Sequence, residues 1–200
     1  MRRLNWMMAA ATAAAVTTLG ACGGGSATAD RGNKAADALF AEDLGDSGGA
    51  LRISSPNVAD GDALPARFSC DSTGISPALV ITGVPDGTAE LAIVLDDPDA
   101  EGGTYTHWIL AGLPAADTSL AEDYVPPKAT SARNSAGRSG YAAVCPPEGD
   151  AAHTYRISVY ALDEPTGDTV DKQLATDALE AIAERATARA TMRATYRRAG

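Results

Sequence analysis

The chain has 200 residues, 45% of them hydrophobic, with 16 lysines and arginines against 26 aspartates and glutamates and a formal charge of −10. That length holds one domain of ordinary size with flanking segments. So acidic a surface repels nucleic acid and anionic lipid, which argues against a nucleic-acid partner and against membrane attachment through a basic patch.

The first residues are Arg2 and Arg3, then an apolar, alanine-rich run from Trp6 to Val16, then Thr17-Thr18-Leu19-Gly20-Ala21-Cys22. The run is shorter than the roughly 20 apolar residues a transmembrane helix needs, and its basic start and small-residue end read as an export signal over residues 1–21. Leu19-Gly20-Ala21-Cys22 resembles the bacterial lipobox, in which cleavage precedes a cysteine that is lipidated. A plain secretory signal with an incidental cysteine and an uncleaved anchor are the alternatives, and each still exports the domain. Loss of Arg2 and Arg3 leaves 14 basic residues against 26 acidic ones and a charge of −12. Attachment to the extracytoplasmic side of the cell membrane is then expected through acyl chains on Cys22.

After Cys22, residues 23–49 are rich in Gly, Ala, Ser and Asp and read as a flexible linker with a coil reach of roughly 30 Å. Within it, Lys34 to Leu44 allows a short helix with Leu39 and Phe40 on one side, with nothing that requires it to dock. Residues 50–200 make one domain of short strand-like runs separated by Gly, Pro and Asp turns. Strands are expected at Leu51 to Ser54, Ala66 to Ser69, Leu79 to Thr82, Leu91 to Leu95, Tyr105 to Ala111 and Thr154 to Val159. Breaks fall at Asp60-Gly61, Pro85-Asp86-Gly87 and Gly102-Gly103. Leu91-Ala92-Ile93-Val94-Leu95 is apolar on both faces, as suits a central strand, whereas Thr154 to Val159 alternates as a half-buried one. From Lys172 to Arg185, Leu174, Ala178, Leu179 and Ile182 recur at helical spacing. Alanine would let that helix continue, but Thr187, Thr191, Thr195 and Tyr196 favour a final strand over Thr187 to Arg197. The class is mainly β, a sandwich with one short helix near the C-terminus.

With Cys22 lipidated, Cys70 and Cys145 remain as an even pair in an oxidising compartment, and a disulfide is the economical reading. Two buried free thiols or a metal pair are the alternatives, the latter without any CxxC spacing.

The chain has only two histidines. Period-two alternation puts Tyr105 and His107 on the same side of one strand, and His153 and Tyr155 on the same side of another, so neighbouring strands would converge four polar-tipped rings. Asp96-Asp97-Pro98-Asp99 follows the apolar strand, where a carboxylate can orient a histidine. Gly140-Tyr141 leads through Cys145-Pro146-Pro147 to Gly149, a stiff loop ending just before His153.

Taken in order, Asp97-Pro98-Asp99-Ala100, His107-Trp108-Ile109, Leu113-Pro114, Gly137-Arg138-Ser139-Gly140-Tyr141, Cys145-Pro146-Pro147, His153-Thr154-Tyr155 and Ala161-Leu162-Asp163 resemble the phosphatidylethanolamine-binding protein family. Arg67-Phe68-Ser69-Cys70-Asp71 and Ile75-Ser76-Pro77 are similar to its bacterial Raf-kinase-inhibitor-like branch. The resemblance spans about Leu51 to Tyr196. It implies two packed antiparallel sheets with a small helix near the end, and a shallow pocket for an anionic group such as phosphate, sulfate or a phosphoethanolamine-like ligand. By motif, the pocket lining is Asp97, His107, Pro147, His153 and Tyr155, with Asp99, Tyr105 and Tyr141 around it. Imidazole and phenol donors would satisfy the anion's oxygens, with Asp97 orienting a histidine. Glu101 stands where the family usually has proline, and Ala143-Val144 where it has Gly-Pro, so pocket shape is expected to differ and Glu101 near the rim to disfavour an anionic ligand.

The expected function is an envelope-anchored binding module, without catalytic residues, cofactor or metal, that captures a small anionic or phospho-headgroup ligand and modulates another protein. The alternatives are an inhibitor that presses its loops into a protease or kinase, and a metal-dependent hydrolase using Asp97, Asp99, His107 and His153. No HExxH helix is present.

Overall fold

In the computed structural model, residues 34–41, 44, 50–166, 170 and 174–199 are described. The export signal, the Cys22 lipobox and the start of the Lys172 to Arg185 helix lie outside these residues. A helix, α1, covers residues 34–41. It is followed by β1 (Arg52–Ser54), a 3-10 turn (Ala66–Phe68), β2 (Leu79–Thr82), β3 (Glu90–Asp97), β4 (Tyr105–Leu113), β5 (Thr118–Leu120), β6 (Thr130–Ser131), β7 (His153–Leu162), α2 (Ala175–Ala183) and β8 (Ala186–Tyr196). The strands form two antiparallel sheets, β1-β2-β5 and β6-β4-β3-β7-β8.

The two sheets bury their facing sides against each other. Ile53, Leu79, Ile81 and Leu120 from the small sheet meet Leu91, Ile93, Leu95, Trp108, Leu110, Ile157 and Val159 from the large one. The apolar residues of opposite parity, Ala92, Val94, Ile109 and Ala111, form a second core on the outer face of the large sheet with Leu39 of α1 and Ala178, Leu179 and Ile182 of α2. This is why β3 reads as apolar throughout: it is the central strand of a sheet covered on both sides.

Several expectations are corrected. Thr154 to Val159 lies in a strand buried on both faces, not half-buried. Its polar outward residues are paired there: Arg156 with Asp96, and Ser158 with Thr191 across the β7–β8 ladder. Ala66 to Ser69 is a turn rather than a strand, because Pro65 leads into it and the Ser69 hydroxyl and N–H both donate back to the Ala66 carbonyl, at 2.8 and 2.9 Å. α1 lies in the stretch read as linker, yet it is docked, with Ala36 and Leu39 buried. The final strand over Thr187 to Arg197 is present as β8.

Cys70 and Cys145 are bridged, with their Cα atoms 5.4 Å apart. Local pairing aligns them, since Ser69 and Val144 form a parallel bridge and the Cys70 N–H donates to the Val144 carbonyl at 3.0 Å.

Candidate ligand-binding site

The pocket forms where β3 ends, β4 begins and β7 begins. Strict alternation along β4 would put Tyr105 and His107 on the face of Ile109 and Ala111, which is the helix-covered face. The ladder avoids this. Leu95 pairs with Trp108 but Asp96 pairs with Thr106, so His107 is the extra residue of a β-bulge. A bulge resets the alternation and re-aims side chains. Tyr105 and His107 are thereby returned to the sandwich side, with Trp108 and Leu110. A second register shift, between Leu91 and Ile93, lies opposite Gly112. Gly112 has a φ of +79°, and a Cβ there would stand 2.7 Å from the Lys128 carbonyl oxygen, so only glycine fits.

Adjacent carboxylates at the end of β3 point to opposite faces. Asp96 faces outward to Arg156. Asp97 faces the pocket and is almost fully buried, its Oδ2 accepting from His153 Nδ1 at 2.8 Å and its Oδ1 accepting from the Asp99 N–H at 2.9 Å. Asp99 in turn accepts the Thr154 N–H at 2.7 Å, tying the turn after β3 to β7. His107 donates from Nδ1 to the Ala142 carbonyl at 3.0 Å, and the Ala142 N–H donates back to the His107 carbonyl at 2.9 Å. Burial pulls the His107 imidazole below its ordinary value, against the opposing effects of the Ala142 carbonyl and the Asp97 charge.

The resulting pocket holds about 220 Å³ and is lined by Asp97, Ala100, Glu101, Tyr105, His107, Ala143, Cys145, Pro146, Pro147 and His153. Of the residues named from sequence, Asp97, Tyr105, His107, Pro147 and His153 meet in its wall. Tyr155, Tyr141 and Asp99 do not. Tyr155 is fully buried behind the wall, edge-on to the His107 ring at 5.4 Å, its hydroxyl without a hydrogen bond and its phenol pushed up by burial and by the Asp97 charge. Tyr141 donates to the Phe68 carbonyl at 2.6 Å and packs edge-on against Trp108, which fixes the base of the loop that carries Pro147. Tyr105 covers His107 on its other side, with ring centroids 4.7 Å apart.

Glu101 and Ala143 do stand in the wall, while Val144 is wholly buried in the core. Sequence reasoning missed the Ala142 carbonyl, which carries no side-chain signal. Among the described residues, no group of three or more His, Cys, Asp or Glu is arranged to hold a metal ion.

Comparison with known proteins gives a consistent result. The family model for phosphatidylethanolamine-binding protein matches residues 54–197. A Mycobacterium tuberculosis protein named "Putative lipoprotein LppC" is 38% identical over 196 residues, covering 94% of each chain. The crystal structure of E. coli YbcL, described as a member of the mammalian PEBP family, matches with a TM-score of 0.70 at 27% identity, covering 74% of this chain and 98% of that one. CT736 of Chlamydia trachomatis gives 0.69 at 33% identity with the same coverage.

Proposed function

Because this chain belongs to the phosphatidylethanolamine-binding protein family, we propose that it captures a small anion or phospho-headgroup in the pocket between β3, β4 and β7 while a lipid on Cys22 holds it at the outer face of the cell membrane. One observation carries the binding reading: both histidines line one small pocket, and each has Nδ1 occupied by an internal acceptor, Ala142 O or Asp97 Oδ2. Nε2 is then the atom each ring has left for a ligand, and two converging imidazolium donors match the oxygens of a tetrahedral anion. The volume is below that of drug-sized sites, so it suits a headgroup rather than a whole lipid. Nothing in this reading calls for a nucleophile; it is capture, not turnover. The lipoprotein reading draws its support from the Leu19-Gly20-Ala21-Cys22 motif and from a relative that bears the word in its name and matches nearly end to end.

The test is titration calorimetry of the full chain with phosphate and with phosphoethanolamine. His107→Ala and His153→Ala should each weaken binding by roughly 1.5 to 3 kcal/mol, the worth of a charged hydrogen bond, with the fold intact. If neither substitution alters affinity, or if no anion binds between about pH 5 and 8, the pocket is not the working surface.

A further inference from the structure

On the reverse of the same sheet, α1 is seated against the strand ends that build the pocket. The Phe40 ring contacts two guanidinium groups, Arg156 at 3.8 Å and Arg189 at 4.5 Å from its centroid. Arg156 also makes a two-point contact with Asp96, at 2.7 and 2.8 Å. Asp37 accepts the Thr104 hydroxyl, and Arg189 donates to the carbonyls of Leu39 and Phe40 at the end of the helix. A cation on those last carbonyls is favourable for a helix C-terminus.

Apart from Arg189, these anchor points are chain neighbours of residues in or just behind the pocket wall. Thr104 precedes Tyr105, Asp96 precedes Asp97, and Arg156 follows Tyr155. In a strand, neighbouring residues point to opposite faces, so a load on one side is felt one residue away on the other. An eight-residue helix is too short to persist alone in water, so α1 is folded when docked and unfolded when released.

We propose that the docking of α1 positions Asp97, Tyr105 and Tyr155 and so sets the anion affinity of the pocket, with Phe40 and Asp37 as the positioning residues. This rests on the pocket reading given above. Reciprocity then requires that a bound anion hold α1 in place, because coupling between two sites acts equally in both directions.

Sulfate calorimetry and amide hydrogen exchange on the full chain test this. Phe40→Ala should weaken sulfate binding by about fivefold or more, within the usual span of site-to-site coupling. Phe40→Trp, which keeps an aromatic face for both guanidinium groups, should bind as the parent does, whereas Phe40→Leu should behave as Phe40→Ala. Saturating sulfate should slow exchange across residues 35–41. Phe40→Ala should speed exchange at Asp97, Tyr105 and Tyr155 but not at Ile53 or Leu79 in the other sheet. Parental sulfate affinity in both Phe40→Ala and Phe40→Leu overturns the proposal. If the parent binds no sulfate at all, the pocket reading fails, and exchange at Asp97, Tyr105 and Tyr155 in Phe40→Leu decides the coupling alone: unchanged rates overturn it.

Discussion

Anion capture in this pocket should consume a proton. Two carboxylates, Asp97 and Glu101, share its wall with the two imidazoles. Burial keeps His107 below 6.5, so at neutral pH the ring is uncharged, its one proton on Nδ1 facing the Ala142 carbonyl. Nε2 then offers a lone pair, and a lone pair repels an anion's oxygen. Binding requires the imidazolium, in which both nitrogens donate. Sulfate is the suitable probe because it does not itself titrate in this range. A charged hydrogen bond of about 1.5 to 3 kcal/mol corresponds to roughly 10- to 150-fold in affinity, gained as pH falls by at most about tenfold per unit for one proton. Calorimetry in two buffers of different ionisation enthalpy should show net proton uptake on sulfate binding near pH 7. His107→Asn should bind weakly and take up fewer protons than the parent. Without the anion, acid should act in the opposite direction on the fold. The folded state holds the His107 proton less tightly than the unfolded chain, so the histidine's contribution is full above 6.5 and is lost as pH falls from there through the folded-state value. Sulfate should offset that loss. Sulfate bound with pH-independent affinity and no proton uptake from about pH 5 to 8 would refute this chain of reasoning.

Replacing Cys70 and Cys145 together by alanine should lower stability in urea by about 2 to 5 kcal/mol, since the bridge closes a loop with a sequence separation of 75. It should also loosen the wall that carries Cys145 and Pro147, seen as weaker sulfate binding at a temperature where the variant is still folded. Glu101→Gln removes an exposed like charge from the rim and should tighten sulfate binding by about two- to fivefold, less at high salt. Cys22→Ala should move the protein from the membrane fraction to the soluble one, because so acidic a chain is repelled by anionic lipid; tight membrane association of the variant would end the lipid-anchor reading.

The long strands of the large sheet, β3, β4, β7 and β8, were largely legible because each is long enough to show a pattern: five unbroken apolar residues in β3, and β-branched and threonine-rich spacing in β8. Strands β5 and β6 have three and two residues, too few to display any period, and exist only because β2 and β4 pair with them. The docking of α1 was hidden for a different reason. Ala36, Leu39 and Phe40 do recur at helical spacing, but what seats the helix is a pair of guanidinium groups on β7 and β8, one of them about 150 residues further along the chain. No local window contains both halves of that contact. The same distance explains why β7 read as half-exposed: Arg156 looks like a solvent residue until Asp96 and Phe40 are placed against it.

At the site, the sequence order and the pairing of rings along each strand were readable, but the face on which they fall was not. Period two correctly keeps Tyr105 with His107, and His153 with Tyr155. It cannot reveal that one inserted residue in β4 changes which side of the sheet the first pair occupies. Slipping a strand by one residue exchanges all of its inward and outward side chains. Without the bulge at His107, Tyr105 and His107 would face the helices, next to Asp96 and Arg156, and His153 would keep only Asp97 for company. Asp96 and Asp97 are identical in kind and adjacent in sequence, yet one serves a buried ion pair beneath α1 and the other orients His153 at the pocket. The division between them is set by the register of β3 against β4 and β7. That register places a carboxylate, two imidazoles and a phenol around one small volume in an otherwise apolar sandwich, with a second phenol behind its wall.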